Sequence, residues 1–234
     1  MILLSERLKA IASMVPRCKT VADIGCDHAY VAIYLVENHI TEKVIACDVN
    51  KGPLRKAAEN AKAHNLEDCI ELRLSDGLAG INQNEADVIV IAGMGGPLMQ
   101  RIISEGIDKI SDKAKLVLQP QSDIGTFRRF LSDSGFMILS EKMIFEDGKY
   151  YPMMLVTKGQ MDWSKDIYYE YGRCLIEEKN MVLMSYLEHE KDNLTVILEG
   201  FNSINITERS KNRKEEIVSR LSLNEEAMRC INEV

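Results

Sequence analysis

A chain that runs Val21-Ala22-Asp23-Ile24-Gly25, turns through Cys26-Asp27-His28-Ala29-Tyr30 and returns as Val44-Ile45-Ala46-Cys47-Asp48 has few ways to fold. Two apolar runs, each ending in an acid and separated by a helical pattern, make a βαβ unit of a parallel sheet. Gly25 lets backbone come close to a ligand, and Asp48, closing the second strand, is placed to accept hydrogen bonds from ribose hydroxyls. A dinucleotide would require more glycine, because its pyrophosphate lies against bare backbone at a helix N-terminus. Here Gly25 stands alone and Asp27-His28 fill positions that should be bare. The pattern disfavours an anion and suits a cationic, phosphate-free nucleoside such as S-adenosylmethionine.

The rest of the first 158 residues continues the alternation. The patterning predicts helices over 3–14, 29–39, 52–64, 97–110 and 122–134, with strands at 20–25, 43–48, 69–74, 87–92 and 115–119. The nearly unbroken apolar runs of the fourth and fifth strands suit a parallel sheet covered on both faces. Phe136–Phe145 and Lys149–Thr157 flank Glu146-Asp147-Gly148, a turn signal that makes them an antiparallel hairpin. The expectation is an α/β chain with a mostly parallel seven-stranded sheet closed by that hairpin, the arrangement of Rossmann-like methyltransferases.

Ligands of such sheets bind outside the carboxyl ends of the strands. The strand ends therefore nominate Asp23, Gly25, Asp27, His28, Asp48, Val49, Asp76, Gly77, Gly93 and Gly95 for the cofactor. Asp27, Tyr30, Met94 and Gln119 are the candidates for positioning the methyl acceptor. Asp76 reads either as an acceptor for an adenine amine, with Leu78 packed near the ring, or as a helix or turn cap. Asp27 and His28 face the crevice or cap the helix that follows. Gly93-Met94-Gly95-Gly96-Pro97 holds backbone close to something, and Gln119-Pro120-Gln121 is a polar rim or a loop without a role. His39, His64 and His189 lie on helical patterns with no partner spacing.

Beyond residue 158 the strand signals stop. The apolar positions Ile167, Tyr171, Cys174, Met181, Tyr186, Leu194 and Ile197 predict one helix from Ser164 to Leu198. Gly200-Phe201-Asn202-Ser203 interrupts it, and Asn205 with Glu208 opens a second helix as a capping box. The two are expected to form an antiparallel coiled-coil arm over 159–234, separate from the sheet domain of 1–158. Residues 1–158 carry 19 basic and 21 acidic side chains, and residues 159–234 carry 10 and 15. The formal net charge of −7 excludes a generally basic nucleic-acid binder but leaves room for a local basic face. Arg209, Lys211, Arg213 and Lys214 form such a cluster; they read as a clamp for an RNA backbone or as a solvated helix face. The six cysteines form no C-x-x-C pair, so neither zinc nor a disulfide framework is expected. No metal-ligand spacing occurs, no apolar run is long enough to span a bilayer, and the charged N-terminus is not a signal peptide. A cytoplasmic monomer is expected.

The segments 23–30 (Asp-Ile-Gly-Cys-Asp-His-Ala-Tyr), 47–50 (Cys-Asp-Val-Asn), 91–96 (Ile-Ala-Gly-Met-Gly-Gly) and 118–121 (Leu-Gln-Pro-Gln) resemble the bacterial tRNA (adenine-22-N1)-methyltransferase family. The helical extension matches that family's architecture too; the one departure is Cys26, where a small polar residue is the expectation. The resemblance implies a class I S-adenosylmethionine-dependent enzyme acting on N1 of an adenine in the tRNA D-loop; Arg7 and the Arg209–Lys214 cluster are the candidates for contacting RNA. The residues alone leave two rivals, a methyltransferase for small molecules and a non-catalytic helical RNA-binding protein.

Overall fold

In a computed structural model, residues 2–201 and 208–233 are described, apart from the side chains of 208 and 209. They form two compact units, Met1–Met161 and Asp162–Val234.

The first unit is a seven-stranded sheet in the order β3-β2-β1-β4-β5-β7-β6. β1 (Cys18–Ile24), β2 (Thr41–Asp48), β3 (Ile70–Leu74), β4 (Val88–Met94) and β5 (Lys115–Pro120) are parallel. β6 (Phe136–Glu146) and β7 (Lys149–Lys158) form the antiparallel hairpin, with β7 against β5. The helices are α1 (Glu6–Met14), α2 (Tyr30–Glu37), α3 (Lys51–Ala63), α4 (Gly96–Glu105) and α5 (Ile124–Asp133). Val88–Ile91 and Leu116–Leu118 are fully buried, as continuous apolar strands covered by helices on both faces must be. The strand order reverses between β1 and β4, so a crevice opens at their carboxyl ends.

α1 is held where it can reach that crevice. Ser5 caps it, its Oγ accepting from Leu8 N at 3.3 Å. The carboxylate of Glu146, at the hairpin tip, accepts from the backbone N–H groups of Glu6 and Arg7 at 2.6 and 3.3 Å. A negative group at a helix N-terminus satisfies orphan donors and complements the dipole. On the far side, Arg128 of α5 donates through Nε to Glu141 of β6 at 2.8 Å, both side chains 1% exposed. Removing either partner would strand a buried charge.

The second unit departs from the expected single long first helix. A π-turn at Tyr168–Gly172 leads into α6 (Arg173–Glu177), the chain breaks, and α7 (Met181–Gly200) begins anew. The break has two local causes. Lys179 takes a left-handed conformation, φ +52°, and the Asn180 side chain accepts from Val182 N and Leu183 N at 3.0 Å, starting a new helix. Met181 and Ile197, expected in the apolar stripe, are exposed; Leu194 is buried in it as expected, joined by Leu183 and Leu187. α8 (Glu208–Asn232) pairs with α7 in antiparallel fashion, Asn224 donating to Leu187 O and Arg220 to Glu190. Glu190 is the hub of this unit, also accepting from Tyr171 and Tyr186 hydroxyls at 2.8 and 3.0 Å. Burial and the Glu190 charge push the Tyr186 hydroxyl up to about 12. Asn205, the expected cap of α8, lies outside the described residues, as do the side chains of Glu208 and Arg209. Lys211, Arg213 and Lys214 lie exposed on α8, Arg213 paired with Glu216 at 2.9 Å.

None of the described helices is long and apolar enough to cross a membrane. Among the described residues no His, Cys, Asp or Glu side chains are grouped to hold a metal ion. All six cysteines are free thiols.

Candidate active site

The carboxyl ends of β1, β2, β3 and β4 surround a cavity of about 590 Å³. Of the sequence candidates, Asp23, Gly25, Asp27, His28, Tyr30, Asp48, Val49, Asp76, Gly77, Gly93 and Met94 line it, joined by Arg7 of α1. Two do not. Gly95 precedes α4 as its N-cap. Gln119 is fully buried, below the rim where the sequence placed it; its Oε1 accepts from Gly93 N and Arg7 Nη1, both at 3.2 Å. The amide that reaches the cavity is the neighbouring Gln121. Successive side chains of a strand point to opposite faces of the sheet, and Gln119 points to the covered face on which α1 brings Arg7 to its amide.

The turn after β1 decides which ligands fit. Gly25 N and Cys26 N both donate to Cys47 O, at 2.8 and 3.0 Å, and Ala29 N donates to Cys26 O at 2.8 Å. Asp27 N is taken by Asp48 Oδ2 at 3.3 Å. With these amides committed, the turn has no nest of free N–H groups for a pyrophosphate. α2 starts at Tyr30, after Ala29 in a left-handed conformation and with no side-chain cap, so Asp27 and His28 are not capping residues. Asp27 is exposed on the cavity wall. Nδ1 of His28 is buried without a hydrogen bond, 3.5 Å from Asp27 Oδ1, and the ring meets Tyr30 edge-on at 5.7 Å.

Gly25 adopts φ +77°, and any Cβ there would run into the Met94 methyl. The following glycines have separate reasons. Gly93, at φ +79°, is the extra residue of a bulge where the β4–β5 register shifts between Ala92 and Met94. A Cβ on Gly96 would lie 2.6 Å from Ser122 O, so that glycine serves helix packing.

The cavity wall is acidic. Asp48 is held by Asn50 N at 2.8 Å and by Asp27 N, leaving lone pairs on both oxygens. Asp23 is buried, and desolvation, reinforced by the Asp48 charge, raises its carboxyl to about 7. Burial likewise pushes the Cys26 thiol up and the Cys47 thiol to about 12, so neither is a thiolate nucleophile at neutral pH. Asp76 stands at the N-cap position of the short turn Gly77–Gly80, but its side chain makes no capping bond. It makes a two-pronged pair with Arg101, Oδ1–Nη2 at 3.1 Å and Oδ2–Nη1 at 3.3 Å, while Leu78 is buried beneath. Arg101 carried no sequence signal, because its partner lies 25 residues away on another element. Four aspartates against two arginines make a site for a ligand of net positive charge.

The methyltransferase-domain family matches residues 4–154. The tRNA (adenine(22)-N(1))-methyltransferase of Bacillus subtilis is 34% identical over 96% of this chain and 97% of its own. The crystal structure of that B. subtilis enzyme, TrmK, superposes with a TM-score of 0.89 over 97% of this chain and all of the other, at 33% identity. Streptococcus pneumoniae Sp1610 in complex with S-adenosyl-L-methionine gives 0.86 at 33% identity, over 97% of this chain and 100% of that one. M. capricolum TrmK in complex with S-adenosyl-homocysteine gives 0.84 at 31% identity, over 97% of this chain and 99% of that one. Motifs, sheet topology and near full-length similarity agree, and this chain belongs to the tRNA (adenine(22)-N(1))-methyltransferase family.

Proposed function

We propose that this protein transfers a methyl group from S-adenosylmethionine to N1 of adenine 22 in tRNA. The observation that carries the reading is the turn after β1. Four of its amides, those of Gly25, Cys26, Asp27 and Ala29, are consumed internally and its surroundings are carboxylates, so the crevice suits a cationic nucleoside better than a phosphorylated one. Full-length kinship to tRNA methyltransferases supplies the acceptor.

The residues present fit such a cofactor. Asp48 would take the ribose hydroxyls, its oxygens preset by two backbone amides. Asp76, fixed by Arg101, would accept from the adenine amine above Gly77, and Asp23 and Asp27 would balance the positive charge. When bound, S-adenosylmethionine supplies an electrophilic methyl group on a sulfonium.

Adenine N1 carries a lone pair and no proton, so the acceptor needs no general base. It lies on the Watson–Crick edge, so the base must leave its stack to reach the cavity. Methylation leaves the ring cationic, and the exposed Asp27 carboxylate and the Tyr30 face are positioned to oppose that charge. Met94 closes the wall beside Gly25, and Gln119 acts indirectly by holding Gly93 and Arg7. The exposed cations of α8 are suited to the RNA backbone, and the sheet unit is the cofactor-binding part.

The test is transfer of labelled methyl to a tRNA transcript, followed by nucleoside analysis. N1-methyladenosine should form with A22 present and vanish when position 22 is guanine. Asp27→Ala should lower kcat by about 10–100-fold with a smaller change in KM for tRNA, because its contact strengthens as charge develops. A product methylated at the exocyclic amine, or transfer indifferent to position 22, would overturn the assignment.

A further inference from the structure

The hairpin that closes the sheet is longer than the helix layer that covers it. β7 pairs with β5 from Thr157 opposite Lys115 to Met154 opposite Leu118. Its first residues therefore run past the carboxyl end of β5, the end at which the cavity opens. On one face of β6, Glu141 and Met143 are buried, Glu141 against Arg128 of α5. Phe145 is next on that face, stands beyond this cover and is 55% exposed. Its cross-strand partner Tyr150 is half-buried, and the two rings meet at 4.7 Å with a tilt of 46°. The pair leaves an aromatic surface open to solvent at the ligand end of the sheet.

The tip is firmly mounted. Asp147 and Gly148 have φ of +50° and +76°, the left-handed pair of a tight two-residue turn. On the opposite face Glu146 accepts from the first amides of α1, and Tyr151 packs against Arg7, which lines the cavity. The aromatic pair is thereby fixed relative to the cavity. β7 and β6 stand two and three strand spacings from β4, which puts the pair about 10–15 Å to the side of the wall at Gly93 and Met94. Phe145 is too far away to touch a base seated in the cavity, and near enough to meet the neighbouring nucleotide. The tip does not repel a phosphate chain, because Glu146 is spent on α1 and the exposed Lys149 offsets Asp147.

We infer that Phe145, backed by Tyr150, stacks a base that flanks the extruded adenine of the tRNA. Flipping one base out of its stack strips its neighbours of a partner. An aromatic side chain replaces that partner and makes no demand on base identity. The inference rests on tRNA being the acceptor, as proposed above. A cross-strand aromatic pair also stabilises a hairpin, so only a readout on the RNA separates the two roles.

The test uses the full-length protein and tRNA transcripts carrying 2-aminopurine, whose fluorescence falls on stacking, at either position next to nucleotide 22. Bound to the wild-type protein, the probe at one of the two positions should be quenched; bound to Phe145→Ala it should brighten. In Phe145→Ala the KM for tRNA should rise about 10-fold, the scale of one base–aromatic stack, with kcat changed by less than about threefold. Affinity for S-adenosylhomocysteine should not change. Phe145→Trp should keep the wild-type KM, whereas Phe145→Leu, which keeps apolar bulk without a ring, should match the alanine variant. A leucine variant equal to wild type, or a probe indifferent to Phe145→Ala, would overturn the inference. So would parallel losses of S-adenosylhomocysteine and tRNA binding in both variants, the mark of a merely structural pair. Each of these leaves the acceptor standing if the wild-type protein methylates the transcript; a wild-type protein that neither binds nor methylates tRNA would overturn that reading as well.

Discussion

Asp23 is the residue whose behaviour least follows from its identity. It ends an apolar strand, is buried, and shares its surroundings with Asp48, so its carboxyl titrates near 7 in the fold against about 4 in an unfolded chain. The folded state therefore binds the proton more tightly. The stability this confers is complete below about pH 4 and is lost as pH rises to 7, because the fold must then bury a charge. Asp23→Asn should stabilise the ligand-free protein by roughly 2–4 kcal/mol at pH 8 and by much less at pH 5. Thermal unfolding across that range checks it, and a gap between variant and wild type that ignored pH would count against the burial argument. Gly25 illustrates the opposite case, a residue whose role the sequence does show. Its left-handed backbone strains any other residue, and a Cβ there would have to displace the Met94 methyl.

The turn between β1 and α2 is the element that bears most on ligand class, and it does so by using four of its amides internally. A glycine-rich version would leave them free for phosphate. In the helical unit the instructive element is the junction of α6 and α7. The hydrophobic pattern runs through it at nearly constant period, yet Asn180 bonds two amides beyond itself and restarts the helix. Asn180→Ala should destabilise this unit by about 1 kcal/mol, with Asn180→Asp retaining most of the stability. The chain's single tryptophan, Trp163, packs against Tyr168 and Tyr169 within the same unit. Its fluorescence during urea unfolding reports on this unit. An unshifted midpoint for Asn180→Ala would mean that packing around Glu190 alone sets the break.

At the scale of the whole molecule, the chain separates chemistry from length. The cavity is built entirely within Met1–Met161. That unit ends on a residue still attached to it, since Met161 Sδ accepts from Ile138 N at 3.4 Å. A protein truncated after Met161 should fold, bind S-adenosylhomocysteine with affinity within about threefold of the full chain, and methylate tRNA at least tenfold less efficiently, having lost the α8 cations. Calorimetry and single-turnover transfer measure the two halves of this expectation. Full tRNA activity in the truncated protein would assign the helical unit to another task.

The amino-acid sequence by itself determined the order of the elements, the parallel sheet with its closing hairpin, and the strand ends that face a ligand. These depend on hydrophobic periodicity and on glycine and aspartate at turns, which act over a few residues. Tertiary structure decided what those residues meet. Arg7 and Gln119 are 112 positions apart, and Glu146 reaches Glu6 across 140, so no local pattern could place Arg7 in the cavity or bury Gln119 beneath it. The raised Asp23 carboxyl, the pairing of Asp76 with Arg101 and the Glu190 hub have the same origin. Each arises from the electric environment created when distant elements pack, and that environment exists only in the assembled fold.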